Sequence, residues 1–325
     1  NAELLLNALA SGLLLGGFYA AISLGMTIVF GQLDIVNIAH PAFIIVGSYA
    51  AYALNDSLGL DPLLAGLLFT PVFFAAGVVV YRVYHAAFEA RGAEALRGLV
   101  FFFGLLFIIE VLITLTFGVD YRLVDAVYIG GALKLGPVGL PWRMVVPFLV
   151  ALAMTLGLHL FFKHSFMGRA VMAVAQDPVA LQLMGAKPVR IKQFAFGIAI
   201  ATAALAGAML IVIGPVEPSM GRLYIGRVFA IAVLAGMGSI PGTLVAAIIL
   251  GVAESLTATF YGPSWAPAVA FGILLVTLAV RPAGLLGRPF MRHTGFWLGG
   301  LAVAALLCVV APVTVRHAYR LVPGF

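Results

Sequence analysis

The feature that most restricts this chain is the recurrence of apolar runs about 20 residues long. They lie near residues 4–30, 34–54, 62–84, 98–118, 143–162, 193–213, 228–260, 266–280 and 294–315. A helix of about 20 residues crosses the hydrocarbon of a bilayer. With 63% hydrophobic and 9% charged residues, against roughly 25% charged in a soluble domain, the chain lacks the polar surface to face water all round. In lipid each segment must satisfy its own backbone, which leaves helices or closed barrels. The alternation of a barrel strand is absent. The expectation is an all-α polytopic transmembrane bundle of about eight to nine spans.

The charges suggest how such a bundle lies. Three connections are basic: Arg82, Arg91 and Arg97; Lys163, Arg169, Lys187, Arg190 and Lys192; and Arg281, Arg288 and Arg292. They hold eleven of the 18 Lys and Arg residues, a bias that places them in the cytoplasm. The same scatter over short loops speaks against nucleic acid as a partner, and membrane lipid is the partner expected instead. The lone cysteine, Cys308, permits no intrachain disulfide, and the six histidines are spread along the chain, so no metal site or clustered enzyme centre is expected. The sequence opens at Asn1 rather than Met, and residues ahead of it are expected to be missing or processed. The first run has no basic n-region and no clear cleavage pattern, so it reads as a span rather than a signal peptide.

Two apolar segments, 25–55 and 228–260, carry Gly or Pro interruptions. Broken helices in a bilayer survive only where protein or a water-filled cavity surrounds them, and in transporters paired interruptions mark the substrate path. The two segments suggest a weak internal repeat, about 1–90 and 190–290. Asp34, Asn37 and His40, with Phe43 close by, would share one face of a helix. Gly236, Gly238 and Ser239 form the second interruption. Each group reads either as lining of the path or as structural: backbone ties for Asn37 and His40, close helix packing for the glycines. Glu110 and Glu254 stand inside apolar runs with no Lys or Arg within a helical turn. They read as hydrogen-bonded structural acids, or as relay groups of a secondary transporter or channel.

Residues 163–192, KHSFMGRAVMAVAQDPVALQLMGAKPVRIK, are the longest polar connection. Val171, Val174, Leu181 and Met184 recur near helical spacing. Asp177 and Pro178 fit the N-cap and first position of a second short helix, which Gly185 would end. The prediction is two short helices at about 166–187 on the cytoplasmic face. Their apolar stripe packs either on the membrane interface or on a partner protein.

This stretch resembles the cytoplasmic coupling loop of ABC-importer permeases, in the form GRAxRAVAQNPxAAxLxGI. Gly168, Arg169, Ala173, Asp177, Pro178, Leu183 and Gly185 are in register, with Met172 where Arg is usual and Asp177 where Asn is usual. GLLLGGFYAAISLGMTIVFGQLDIVNIAH at 12–40, GMGSIPGTLVAAIILGVAES at 236–255 and AVRPAGLLGR at 279–288 are similar to further signatures of one family. Together they resemble the LivH-type permease subunits of branched-chain amino acid ABC importers.

The resemblance implies an inner-membrane transport subunit rather than an enzyme. It would form a heterodimer with a second related permease, two ATP-binding subunits below and an extracytoplasmic solute-binding protein above. The chain has no GxxxxGK[ST] loop, so ATP and Mg are expected on the ATPase subunits and no cofactor on this chain. Arg169 and Asp177 would make polar contacts with the ATPase, Ala173 and Leu183 would pack on it, and Gly185 would set the turn. The alternative for Arg169 is a lipid-phosphate contact. The family's usual AHGEF is AHPAF here, so Pro41 and Ala42 replace a Gly and a Glu. Relatives also carry urea, short amides and aromatic acids. The expected domains are a permease at 1–292 and an additional C-terminal span and tail at 293–325, which the resemblance does not cover.

Overall fold

The computed structural model describes residues 2–280, except 93, 94, 137 and 237, together with 284. The expected span at 294–315 and the tail lie outside the described residues. Among those described are eleven α-helices: α1 (Ala2–Leu33), α2 (His40–Leu58), α3 (Pro62–Ala87), α4 (Ala95–Phe117), α5 (Trp142–His164), α6 (Phe166–Gln176), α7 (Pro178–Leu183), α8 (Pro188–Ile213), α9 (Gly221–Ala235), α10 (Ile240–Phe260) and α11 (Ala266–Val280). One antiparallel ribbon, β1 (Ala132–Leu135) and β2 (Val138–Pro141), joins α4 to α5. Eight helical segments are long and apolar enough to cross a bilayer, which is the all-α polytopic bundle expected.

Helices α1 and α8 form the core and are buried along most of their length, whereas α3, α4, α5 and α11 turn apolar faces outward. Leu67, Val72, Val100, Leu115, Leu156 and Leu275 are all exposed. In water so much exposed apolar surface would drive association; in a bilayer it meets its solvent. Helices cannot be driven together by the hydrophobic effect in lipid, so close backbone approach takes its place. At Gly16 of α1 an added Cβ would lie 2.5 Å from Ile248 Cα of α10. At Gly207 of α8 it would lie 2.1 Å from the Ile44 carbonyl of α2.

The internal repeat takes physical form in these packings. Helix α1 lies along α10 as α3 lies along α8, and α1 meets α9 as α8 meets α2. Exchanging α1, α2 and α3 with α8, α9 and α10 maps one set of contacts on the other. Within this exchange the counterpart of the interruption at 34–39 is the connection 214–220, not 236–239.

Both of these counterparts are re-entrant. Asp34 takes the left-handed conformation (φ 56°) that ends α1. The chain then turns back, and Pro41 opens α2. His40 already touches the Ile22 carbonyl, eleven residues or roughly 16 Å above the end of α1. On the other side, Val216 pairs with Arg122 beyond the end of α8, yet α9 begins at Gly221 against Ala42 of α2. The N-termini of α2 and α9 therefore meet inside the bundle.

Candidate transport path and coupling surface

The residues of the first interruption are not one face of a helix, because residues 34–39 leave the helical conformation. Asp34 is exposed at the end of α1, apart from the other three. Asn37 and His40 are fully buried and Phe43 nearly so. The Asn37 carbonyl accepts from the His40 amide (3.1 Å), helping to start α2. The His40 ring lies in a notch left by Gly25, whose added Cβ would be 2.2 Å from His40 Cε1. Its Nε2–H donates to the Ile22 carbonyl (3.2 Å). His40 Nδ1 and both side-chain amide atoms of Asn37 have no protein partner. Unpaired buried polar groups cost about 1–3 kcal/mol each, so these atoms call for a partner that the protein itself does not supply. Ala42, which stands where the family has Glu, is buried against α9.

The second interruption is a tight turn. Gly236 (φ 89°) and Gly238 (φ 78°) occupy backbone conformations that side chains rarely adopt. Ser239 caps α10, its Oγ accepting from the Gly242 amide (3.1 Å). The Gly238 carbonyl accepts from Gln32 Nε2 of α1 (3.1 Å). The breaks at 34–39 and 236–239 are thus neighbours at one end of the bundle, the end that carries the basic connections.

There the two groups of candidate residues also meet. A pocket of about 300 Å³ is lined by Gln32, Gly238 and Ser239 on one side and by His159, Lys163 and Arg169 on the other. The turn at 236–239 is therefore separated from α6 by a single small cavity.

Helices α6 and α7 lie across this basic face as the spacing predicted. Ser165 caps α6 (Gly168 N to Ser165 Oγ, 2.9 Å). Gly168 packs so tightly on the end of α5 that an added Cβ would be 2.5 Å from Phe162 Cα. Val171 and Val174 are buried against the bundle, and Ala173 is half-buried. Asp177 Oδ1 accepts from the amides of Val179 (3.0 Å) and Ala180 (2.9 Å), with Pro178 in the first turn. Gly185 (φ 83°) reverses the chain. The exposed Arg169 donates from Nη1 to the His164 carbonyl (3.1 Å). Beyond Asp177, Leu181 is half-buried against the core, whereas Val179 is exposed, Leu183 is 85% exposed and Met184 84%.

The two intramembrane acids have partners that local sequence does not reveal. Glu254 of α10 is 3% exposed and receives Arg227 Nε of α9 at 3.0 and 3.3 Å, together with the Tyr19 hydroxyl of α1. Glu110 of α4 receives Arg222 Nη2 at 2.9 Å. Both arginines belong to α9, 27 and 112 residues from the acids they meet. Both acids are held in ion pairs; the absence of a basic residue within a helical turn did not mean the absence of a partner.

The eight apolar spans define a polytopic membrane protein, and interrupted helices meeting inside a bundle are the arrangement in which transporters place a path. Residues 8–278 match the family described as branched-chain amino acid transport system / permease component. The chain is 32% identical over 298 residues to the branched-chain amino acid permease protein BraD of Pseudomonas aeruginosa, covering 87% of this chain and 96% of that one. It is 30% identical over 295 residues to LivH of Escherichia coli K12, with the same coverage, and 29% identical to LivM of the same organism, over 82% of this chain and 67% of LivM. The chain belongs to the branched-chain amino acid ABC transport permease family.

Proposed function

We propose that this chain is one of two related permeases in an ATP-driven importer of branched-chain or other small, partly apolar amino acids in a bacterial inner membrane. The basic face is cytoplasmic, in keeping with the positive-inside rule. Separate ATPase subunits, which hold ATP and Mg, dock on α6 and α7, and an extracytoplasmic binding protein delivers solute to the opposite face. Similarity to both LivH and LivM supports a pair of related permeases.

The observation that carries the reading is the exposed apolar group on α7. Val179 and Leu183 of α7, which Asp177 caps, and Met184 directly after it stand on a face otherwise rich in charge. A helix lying on the membrane interface would bury such a group in lipid; here α6 holds Val171 and Val174 and α7 holds Leu181 toward the bundle, and the three exposed apolar side chains face outward. The pocket between Arg169 and Gly238 offers a short route from α6 to the inner break. Asn37 and His40, with their unpaired atoms, are the polar groups a solute would meet beyond it.

The test is ATP hydrolysis in nanodiscs by this chain with its copurifying subunits, with and without the binding protein. Gly185→Arg forces a side chain into a left-handed turn, which costs about 1–2 kcal/mol, and crowds the docking surface. Stimulation by the binding protein is expected to disappear while the ATPase stays bound. Purification without an ATPase, with solute moving under an ion gradient alone, would overturn the reading.

A further inference from the structure

We infer that the junction of α3 and α8 binds an anionic phospholipid, its headgroup in a basic pocket and one acyl chain in an adjoining apolar groove. The groove has a volume of about 970 Å³ and lies between α3 and α5, with α8 as its floor. Leu67, Pro71 and Phe74 line it from α3 and Phe194, Ile198 and Thr202 from α8. On α8 its lining runs from Phe194 to Leu205, eleven residues or roughly 16 Å. That length matches an acyl chain spanning one leaflet of a hydrocarbon core about 30 Å thick, and on α3 the lining continues to Leu63, in the half of the helix away from Arg82.

The same two helical stripes end in cations. Arg82 follows Phe74 by two turns on α3, and Arg190 precedes Phe194 by one turn on α8. With Lys187 they line a second pocket of about 480 Å³ at the basic face. All three side chains are exposed, and among the described residues none has a carboxylate within ion-pair distance. Their neighbour Lys192 differs: Glu89 neutralises it and also accepts from Tyr81. A structural cation in this region is thus given an acid, and these three are not. An apolar groove whose α8 wall begins one turn beyond Arg190, with three unpaired cations ahead of it, has the charge and shape to take a phosphate diester carrying an acyl chain. A protein helix would fill the groove without needing the cations.

The full chain, with its copurifying subunits, is placed in nanodiscs of phosphatidylcholine containing a minor fraction of phosphatidylglycerol. Lipid retained after transfer to detergent is counted by native mass spectrometry. Wild type is expected to retain phosphatidylglycerol over phosphatidylcholine. Arg82→Gln, Lys187→Gln and Arg190→Gln should each weaken retention about five-fold, and Arg82→Lys with Arg190→Lys should preserve it. Ala153→Trp, at an exposed position of α5 in the groove wall, should lower retention with the cations intact, because the acyl chain loses its place. Inorganic phosphate should not compete, which separates a lipid from a free anion. Equal retention by the triple glutamine variant, indifference to Ala153→Trp, displacement by phosphate, or a cross-link from Leu67→Cys to another protein subunit would each overturn the inference.

Discussion

Glu254 and Arg227 show how much rests on single residues in a bundle held together by close packing. A buried ion pair is weak evidence of net stabilisation, but removing one partner strands the other. Glu254→Gln or Arg227→Leu is expected to destabilise the protein by about 3–5 kcal/mol, read as a lower melting temperature in detergent. Replacing both with apolar residues should recover much of the loss. Arg222→Leu, whose side chain is half exposed beside Glu110, should cost less. The pairing was hidden from sequence because the partners come from α9 and are brought together only by the packing of α4, α9 and α10. The local signals were legible: Asp177 is read as a cap from its Pro178 neighbour and from the helix that follows, and the cap bonds involve only residues 177–180.

At the scale of elements, the spans were legible because lipid leaves the backbone one local solution, and the breaks because Gly, Pro and polar residues interrupt long apolar runs. What the sequence did not disclose was the path between breaks. Periodicity put Asp34, Asn37 and His40 on one helical face, but the left-handed Asp34 ends the helix, and depth in the bundle, not angular position, separates it from the other two. The notch at Gly25 is another case, since nothing near it in sequence names His40 as the occupant. For α7 the prediction concerns its cap. Asp177→Ala leaves two amides without a side-chain acceptor and should cost about 1 kcal/mol locally. Stimulated ATP hydrolysis should fall and proteolysis at 176–187 should rise, with little change in global melting. Asp177→Asn can accept the same bonds and should behave as wild type, which accounts for Asp here and Asn in the usual family pattern.

For the whole molecule, the orientation is open to direct measurement. Val127 lies exposed in the connection after α4, at the end of the bundle away from the basic face, and Met184 lies exposed on the basic face. In a Cys308→Ser background, a membrane-impermeant maleimide applied to intact cells should label Val127→Cys and leave Met184→Cys unmodified until the membrane is opened; the reverse pattern would invert the assigned topology. The antiparallel pairing of α1 with α10 carries a consequence for biosynthesis. The glycine face of α1 is complemented by Ile248 and its neighbours, which leave the ribosome more than 200 residues later. At about 5–20 residues per second, the first helix waits in the membrane for roughly 10–50 s before its permanent neighbour is made. A chaperone, the insertion machinery or lipid must occupy that face meanwhile, and substitutions there act on the yield of assembled protein before they act on transport.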